Sequence, residues 1–114
     1  MNWIKLTSEE QLQQLIENSK SKPQVIFKHS IRCGISSMAH SRLERTYRPM
    51  NAVFYLLDLI NYRGLSNKIA EVFMVPHESP QVLVIVNGEC VYEESHTGIN
   101  IDEIEEHANQ AYPS

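Results

Sequence analysis

The run Ala52-Val53-Phe54-Tyr55-Leu56-Leu57-Asp58 constrains this chain more than any other stretch. It is apolar at consecutive positions, not alternate ones, so a strand built from it must be covered on both faces. That is the environment of a parallel sheet packed between helices. Gln24-Val25-Ile26-Phe27-Lys28-His29 is likewise short, apolar and partly β-branched, which suits a buried strand. The residues between these runs return to helical spacing from about Cys33 to Thr46, and Pro49 closes that segment. A strand-helix-strand crossover is the simplest unit that satisfies all three.

Further elements follow from local signals. Thr7-Ser8-Glu9-Glu10 carries a capping-box pattern, Thr7 with Glu10, ahead of Leu12, Leu15 and Ile16, which predicts a first helix over roughly residues 8–20 that Lys22-Pro23 ends. Helical spacing recurs over about residues 62–73 through Leu65, Ile69, Val72 and Phe73. The loop Val75-Pro76-His77-Glu78-Ser79-Pro80 is too rich in proline for regular structure. Gln81–Val86 reads as a strand, Asn87-Gly88 as a two-residue hairpin turn and Glu89–Glu94 as its antiparallel partner. Gly98 breaks the chain before a last amphipathic helix carrying Ile101, Ile104, Glu105 and Ala108.

The predicted order α-β-α-β-α-β-β-α makes one α/β domain over residues 1–114, a four-stranded mixed sheet with helices on both faces. This is the order of a thioredoxin-like domain. In such a domain the first strand and the helix after it carry the site, and a loop with a cis-proline faces it. Ser79-Pro80, directly before a strand, is the corresponding element, its cis geometry being implied by the fold resemblance.

A formal charge of -4 and a pI near 5.7 argue against a nucleic-acid binder held by a general basic surface. The first residues lack the charged-then-apolar pattern of a secretory signal, and no apolar run is long enough to span a bilayer, so a cytoplasmic protein without membrane or nucleic-acid partners is expected. In a reducing cytosol Cys33 and Cys90 should rest as thiols. The five histidines, His29, His40, His77, His96 and His107, show no metal-ligand spacing, so no metal is expected.

Cys33 ends the run that follows the first strand and opens a helix. There unpaired backbone N–H groups and aligned peptide dipoles favour an anion, so the thiolate gains over the thiol, and Arg32 adds a neighbouring cation. Cys33-Gly34-Ile35-Ser36 has a hydroxyl where a redox dithiol has its second sulfur. Ser36 is therefore expected to hydrogen-bond the thiolate. A site with one sulfur cannot expel a bound partner by an internal bridge to residue 36, so it holds a mixed disulfide until an external thiol arrives. Cys90, inside a hairpin strand, reads as a small buried hydrophobe. His29, at the end of the strand leading into the site, is placed to assist proton transfer. Arg42, Arg45 and Arg48 recur every three residues, and a solvated helix face partly neutralised by Glu44 outweighs an anion-binding patch.

Phe27-Lys28-His29-Ser30, then Cys33-x-Ile35-Ser36-Ser37-x-Ala39, and His77-Glu78-Ser79-Pro80-Gln81 before a strand resemble the YtxJ-like monothiol bacilliredoxins of the bacillithiol system, over nearly the whole chain. The resemblance implies an enzyme that removes bacillithiol from protein mixed disulfides. Bacillithiol and bacillithiolated proteins would be its partners, with no tightly bound cofactor and a monomeric state. It implies Cys33 as the attacking thiol and Ser36 as its catalytic neighbour. Arg32, Gly34, Ile35, Ser79 and Pro80 would bind substrate, with Pro80 the cis-proline. The family commonly has proline after the cysteine, whereas this chain has Gly34, which loosens the first helical turn.

Cys33-Gly34-Ile35-Ser36 is also close to the Cys-Gly-Phe-Ser signature of monothiol glutaredoxins, which share an iron–sulfur cluster. Three departures put that second: Lys28 is too near the cysteine to be their upstream lysine, Ser79 is not β-branched, and no Gly-Gly signature surrounds Thr97-Gly98-Ile99. A redox-inactive interaction domain that keeps the fold is the third reading.

Overall fold

The computed structural model describes residues 1–110, with Gln110 described by its backbone alone. In chain order the elements are β1 (Trp3–Lys5), α1 (Glu9–Asn18), β2 (Gln24–His29), α2 (Gly34–Thr46), β3 (Val53–Asp58), α3 (Arg63–Phe73), β4 (Gln81–Val86), β5 (Glu89–Ser95), a 3-10 turn over His96–Gly98 and α4 (Ile101–Gln110). The sheet order is β1-β3-β2-β4-β5, with β1 and β2 both parallel to β3, and β4 antiparallel to β2 and to β5. The order expected from sequence is present in full, and β1 stands ahead of it, so the sheet has five strands rather than four. Three residues are too few to show a period. β1 forms because Trp3, Ile4 and Lys5 pair with Phe54, Tyr55 and Leu56, and because the Trp3 ring lies 5.8 Å from the rings of both Phe27 and Phe54.

The strict alternation of side chains divides the core into two layers. Val25, Phe27, Phe54, Val82 and Val84 meet Ala39 and Leu43 of α2 and Ile101 and Ile104 of α4. Ile26, Tyr55, Leu57, Leu83 and Ile85 meet Leu12 and Leu15 of α1 and Leu65, Ile69 and Phe73 of α3. Each fully buried side chain of this size contributes about 1.5–3 kcal/mol. The same alternation sends Lys28 toward the α1–α3 layer and His29 toward the α2–α4 layer.

Local chemistry sets the element ends. The cap of α1 is Ser8, not Thr7: the Ser8 hydroxyl accepts from the Gln11 N–H at 3.1 Å, and the Gln11 side chain accepts from the Thr7 N–H at 2.9 Å. The capping pair is thus Ser8 with Gln11, one residue later than the sequence pattern suggests. Asn87 and Gly88 have φ of 52° and 77°, the two positive values of a type I′ hairpin turn. The Ser79-Pro80 peptide is cis and leads straight into β4.

Candidate active site

β2 and β4 pair in antiparallel register as far as Lys28 with Gln81. One step further along each strand lie His29 and Pro80. This register carries the 30–33 turn at the end of β2 and the cis Ser79-Pro80 element to the same edge of the sheet. Gln81 pins the second of these, donating from Nε2 to the Pro76 carbonyl at 3.0 Å and to the Glu93 carboxylate at 3.2 Å. The Pro80 carbonyl accepts from the His96 N–H at 3.1 Å, so the 3-10 turn is bound to the proline as well.

Cys33 is the N-cap of α2, with extended backbone (φ -108°, ψ 119°), and its carbonyl accepts the first helical bond from the Ser37 N–H at 3.0 Å. Its side chain makes no capping bond to the helix and is half-buried, so the sulfur stands free at the helix start. Arg32 and Gly34 are exposed. Ile31 (69% exposed), Ile35 (48%) and Met38 (67%) surround the turn with large apolar side chains that no core claims. Ser79 is half-buried and Pro80 buried on the opposite wall.

Ser36 corrects one expectation. Its side chain is fully buried, and its hydroxyl lies 2.6 Å from His29 Nδ1 while accepting from the Ser30 N–H at 3.0 Å. Those bonds run to the end of β2, not to the Cys33 sulfur. The physical reason is helical phase: the third residue of α2 falls on the core-facing side with Ala39 and Leu43. Ser36 thus ties the end of β2 to the start of α2, on either side of Cys33.

His29 is itself buried in a triangle of rings, 5.6 Å from Phe27 and 4.9 Å from His40, which are 5.9 Å from each other. Burial first, then the neighbouring His40, holds its pKa below the ordinary histidine value, against a smaller opposing pull from Asp58. A neutral imidazole with its proton on Nε2 accepts the Ser36 hydroxyl at Nδ1. His29 therefore acts on the turn through Ser36.

On the opposite face of the sheet lies a polar cluster that the sequence reading did not assemble. Lys28 is fully buried, its Nζ donating to the Ser66 carbonyl at 3.3 Å and standing 3.3 Å from His77 Nδ1, which is also 3.3 Å from the Ser66 hydroxyl. Burial lowers the Lys28 pKa from 10.5 to about 8. Burial and then the adjacent Lys28 and Arg63 hold His77 below its ordinary value, against Glu78. The available signal was a lysine inside an otherwise apolar strand.

Cys90 pairs with Ile85 on β5, four residues along β4 from Gln81, or about 13 Å at strand rise. Its thiol donates to the Tyr92 carbonyl at 3.3 Å, and burial pushes its pKa up to about 11. Among the described residues no group of three or more His, Cys, Asp or Glu is arranged to hold a metal ion. No helix among them is long and apolar enough to cross a membrane.

With one free sulfur at the start of α2, set at the same sheet edge as a cis-proline, comparison with known families becomes decisive. The family model described as monothiol bacilliredoxin BrxC matches residues 4–104. This chain belongs to that bacilliredoxin family. A solved structure described as a presumed oxidoreductase with a thioredoxin fold is 36% identical over 91% of each chain, with a TM-score of 0.80. The thioredoxin of Malassezia sympodialis is 15% identical over 96% of this chain and 90% of its own, with a TM-score of 0.73. A mutant thioredoxin from Halobacterium salinarum is 13% identical over 97% and 91%, with a TM-score of 0.74. The last two establish the thioredoxin-like fold alone. In this bacilliredoxin-family chain Cys33 thus caps α2 and Gly34-Ile35-Ser36 open its first turn, at the same sheet edge as the cis Ser79-Pro80 peptide.

Proposed function

We propose that the protein is a monothiol thiol-disulfide oxidoreductase that removes bacillithiol from protein mixed disulfides, with Cys33 as the only sulfur that enters the chemistry. The Cys33 thiolate attacks the bacillithiol sulfur of the mixed disulfide. A Cys33–bacillithiol disulfide forms, the original S–S bond breaks, and the target leaves as a thiolate that takes a proton from solvent. A second low-molecular-weight thiol, supplied by a reducing cytoplasm, then attacks as thiolate. It leaves as a disulfide with bacillithiol, and Cys33 regains its starting state. The two electrons that reduce the target come from Cys33 and then from that second thiol.

The observation that carries this reading is the free, half-buried Cys33 sulfur at the α2 N-terminus, with Ser36 turned inward and Cys90 remote. Extended target backbone would lie beside Ser79-Pro80, with Arg32, Gly34 and Ile35 on the other wall, so recognition depends weakly on target side chains. The test is removal of bacillithiol from a modified protein. Cys33→Ser should abolish it and Cys90→Ser should keep most of it, while equal loss in both variants rejects the single-sulfur scheme.

A further inference from the structure

A trough runs from the Cys33 turn along the exposed side of α2. Its first part, about 180 Å³, is lined by Ile35, Met38, Arg42, His96 and Thr97. Its second part, about 380 Å³, is lined by Ser37, Met38, Ser41, Arg42 and Arg45. Met38 and Arg42 line both parts, which therefore adjoin at these two side chains. The end of the trough toward the Cys33 turn is marked by Ile35, two residues after Cys33, and by His96, which is bound through its N–H to the Pro80 carbonyl.

The charge along the trough is one-sided in a chain whose net charge is -4. No acidic residue lines either part. Arg42 donates from Nε and Nη2 to the Ile99 carbonyl at 3.2 and 2.8 Å, which fixes the guanidinium plane and leaves its remaining N–H groups for a ligand. Arg45 makes no ion pair with a described residue. Arg48, the next in the series, is consumed by Asp102 and Glu105 at 2.7 Å each. Glu44, which the sequence spacing offered as a neutralising partner, turns to Trp3 Nε1 and His40 on the other side of the helix. At the rim Glu78 lies 3.7 Å from His96 Nε2. His96 is held there with left-handed backbone, φ 56°.

Apolar Ile35 and Met38 on the Cys33 side, followed along α2 by two guanidiniums without an ion pair, suit an extended small thiol with an anionic arm. Arg42 lies nine steps along the helix from Cys33, about 13 Å of rise, and arginine side chains on a helix lean toward its N-terminus, which shortens the gap. We propose that this trough binds the carboxylate-bearing arm of the small thiol exchanged at Cys33, with Arg42 and Arg45 as the carboxylate-recognising residues. The inference rests on Cys33 being the exchanging sulfur.

The test uses the full chain with Cys90→Ser and a series of symmetrical disulfides of straight-chain mercapto acids, from mercaptopropionic to mercaptoundecanoic acid. Each is compared with the mercapto alcohol disulfide of equal length. Mass spectrometry follows the Cys33 mixed disulfide. The acid should react faster than its matched alcohol, by about two- to fivefold as for an exposed ion pair. The ratio should peak at an intermediate length, and Arg45→Glu or Arg45→Gln should remove that peak. A ratio of one at every length, a length-independent ratio or a peak that survives both Arg45 variants overturns the trough assignment while leaving the exchange chemistry standing. Failure of Cys33 to react with any member removes the reading of Cys33, and this inference with it.

Discussion

His29 Nδ1 stands 2.6 Å from Ser36 Oγ, which latches the last residue of β2 to the third residue of α2 across the turn that carries Cys33. The latch is buried, and the Ser30 N–H completes it at 3.0 Å. Ser36→Ala leaves a buried imidazole nitrogen and a backbone N–H unpaired, which costs about 1–3 kcal/mol. Urea unfolding at pH 7 should show that loss as a lower midpoint with an unchanged slope; an unchanged midpoint would mean the latch holds nothing.

Acid should weaken the fold through the same residue. Burial and His40 hold His29 below its ordinary pKa of 6.5, so between that value and the folded-state one the unfolded chain binds more protons than the native one. Stability therefore falls as pH drops below about 6.5, and His77, lowered by burial and Lys28, adds to the fall. His29→Asn, which keeps an acceptor near Nδ1 but does not titrate, should flatten the slope between pH 7 and pH 5 measured by chemical denaturation. Identical slopes in the two proteins would refute this.

Lys28 gives the same sign in a higher pH window. Its pKa is about 8 when folded against 10.5 ordinarily, so between those values the unfolded chain again holds the extra proton and stability rises with pH. The penalty of burying the charge is fully present below pH 8. Lys28→Met should be more stable than the parent at pH 7, with the advantage shrinking toward pH 10.5. Comparing the two proteins at each pH cancels the other groups that titrate there. A constant difference across the range would contradict the assignment.

Gly34→Pro tests the first turn of α2. A Cβ at Gly34 meets no heavy atom within 4 Å, and the first helical position needs no N–H donor. Restricting the unfolded chain should raise stability by about 0.4–1 kcal/mol, seen as a higher thermal midpoint, with thiol exchange at Cys33 retained. A fall in stability would show that the Gly34 backbone is held in a geometry proline cannot adopt.

Much of this was legible in the chain itself. The consecutive apolar residues of β2, β3 and β4 required a sheet covered on both sides, since half-exposed strands would have alternated. Asn87-Gly88 could serve only a tight hairpin, and Cys33 stood at a strand-to-helix junction with no second sulfur at position 36. These features are local: periodicity, turn chemistry and chain order decide them.

What remained hidden depended on residues far apart in the chain. β1 is a strand because Trp3 finds Phe27, Phe54 and His40. The Ser36 hydroxyl faces His29 because α2 buries that side. Lys28 and His77, 49 positions apart, meet only across the folded sheet. Glu44 leaves Arg42 and Arg45 unneutralised because Trp3 and His40 draw it to the other side of α2. Spacing along a chain limits which face a side chain occupies, but the partner it meets there is set by packing between separate elements, and only the tertiary structure decides that.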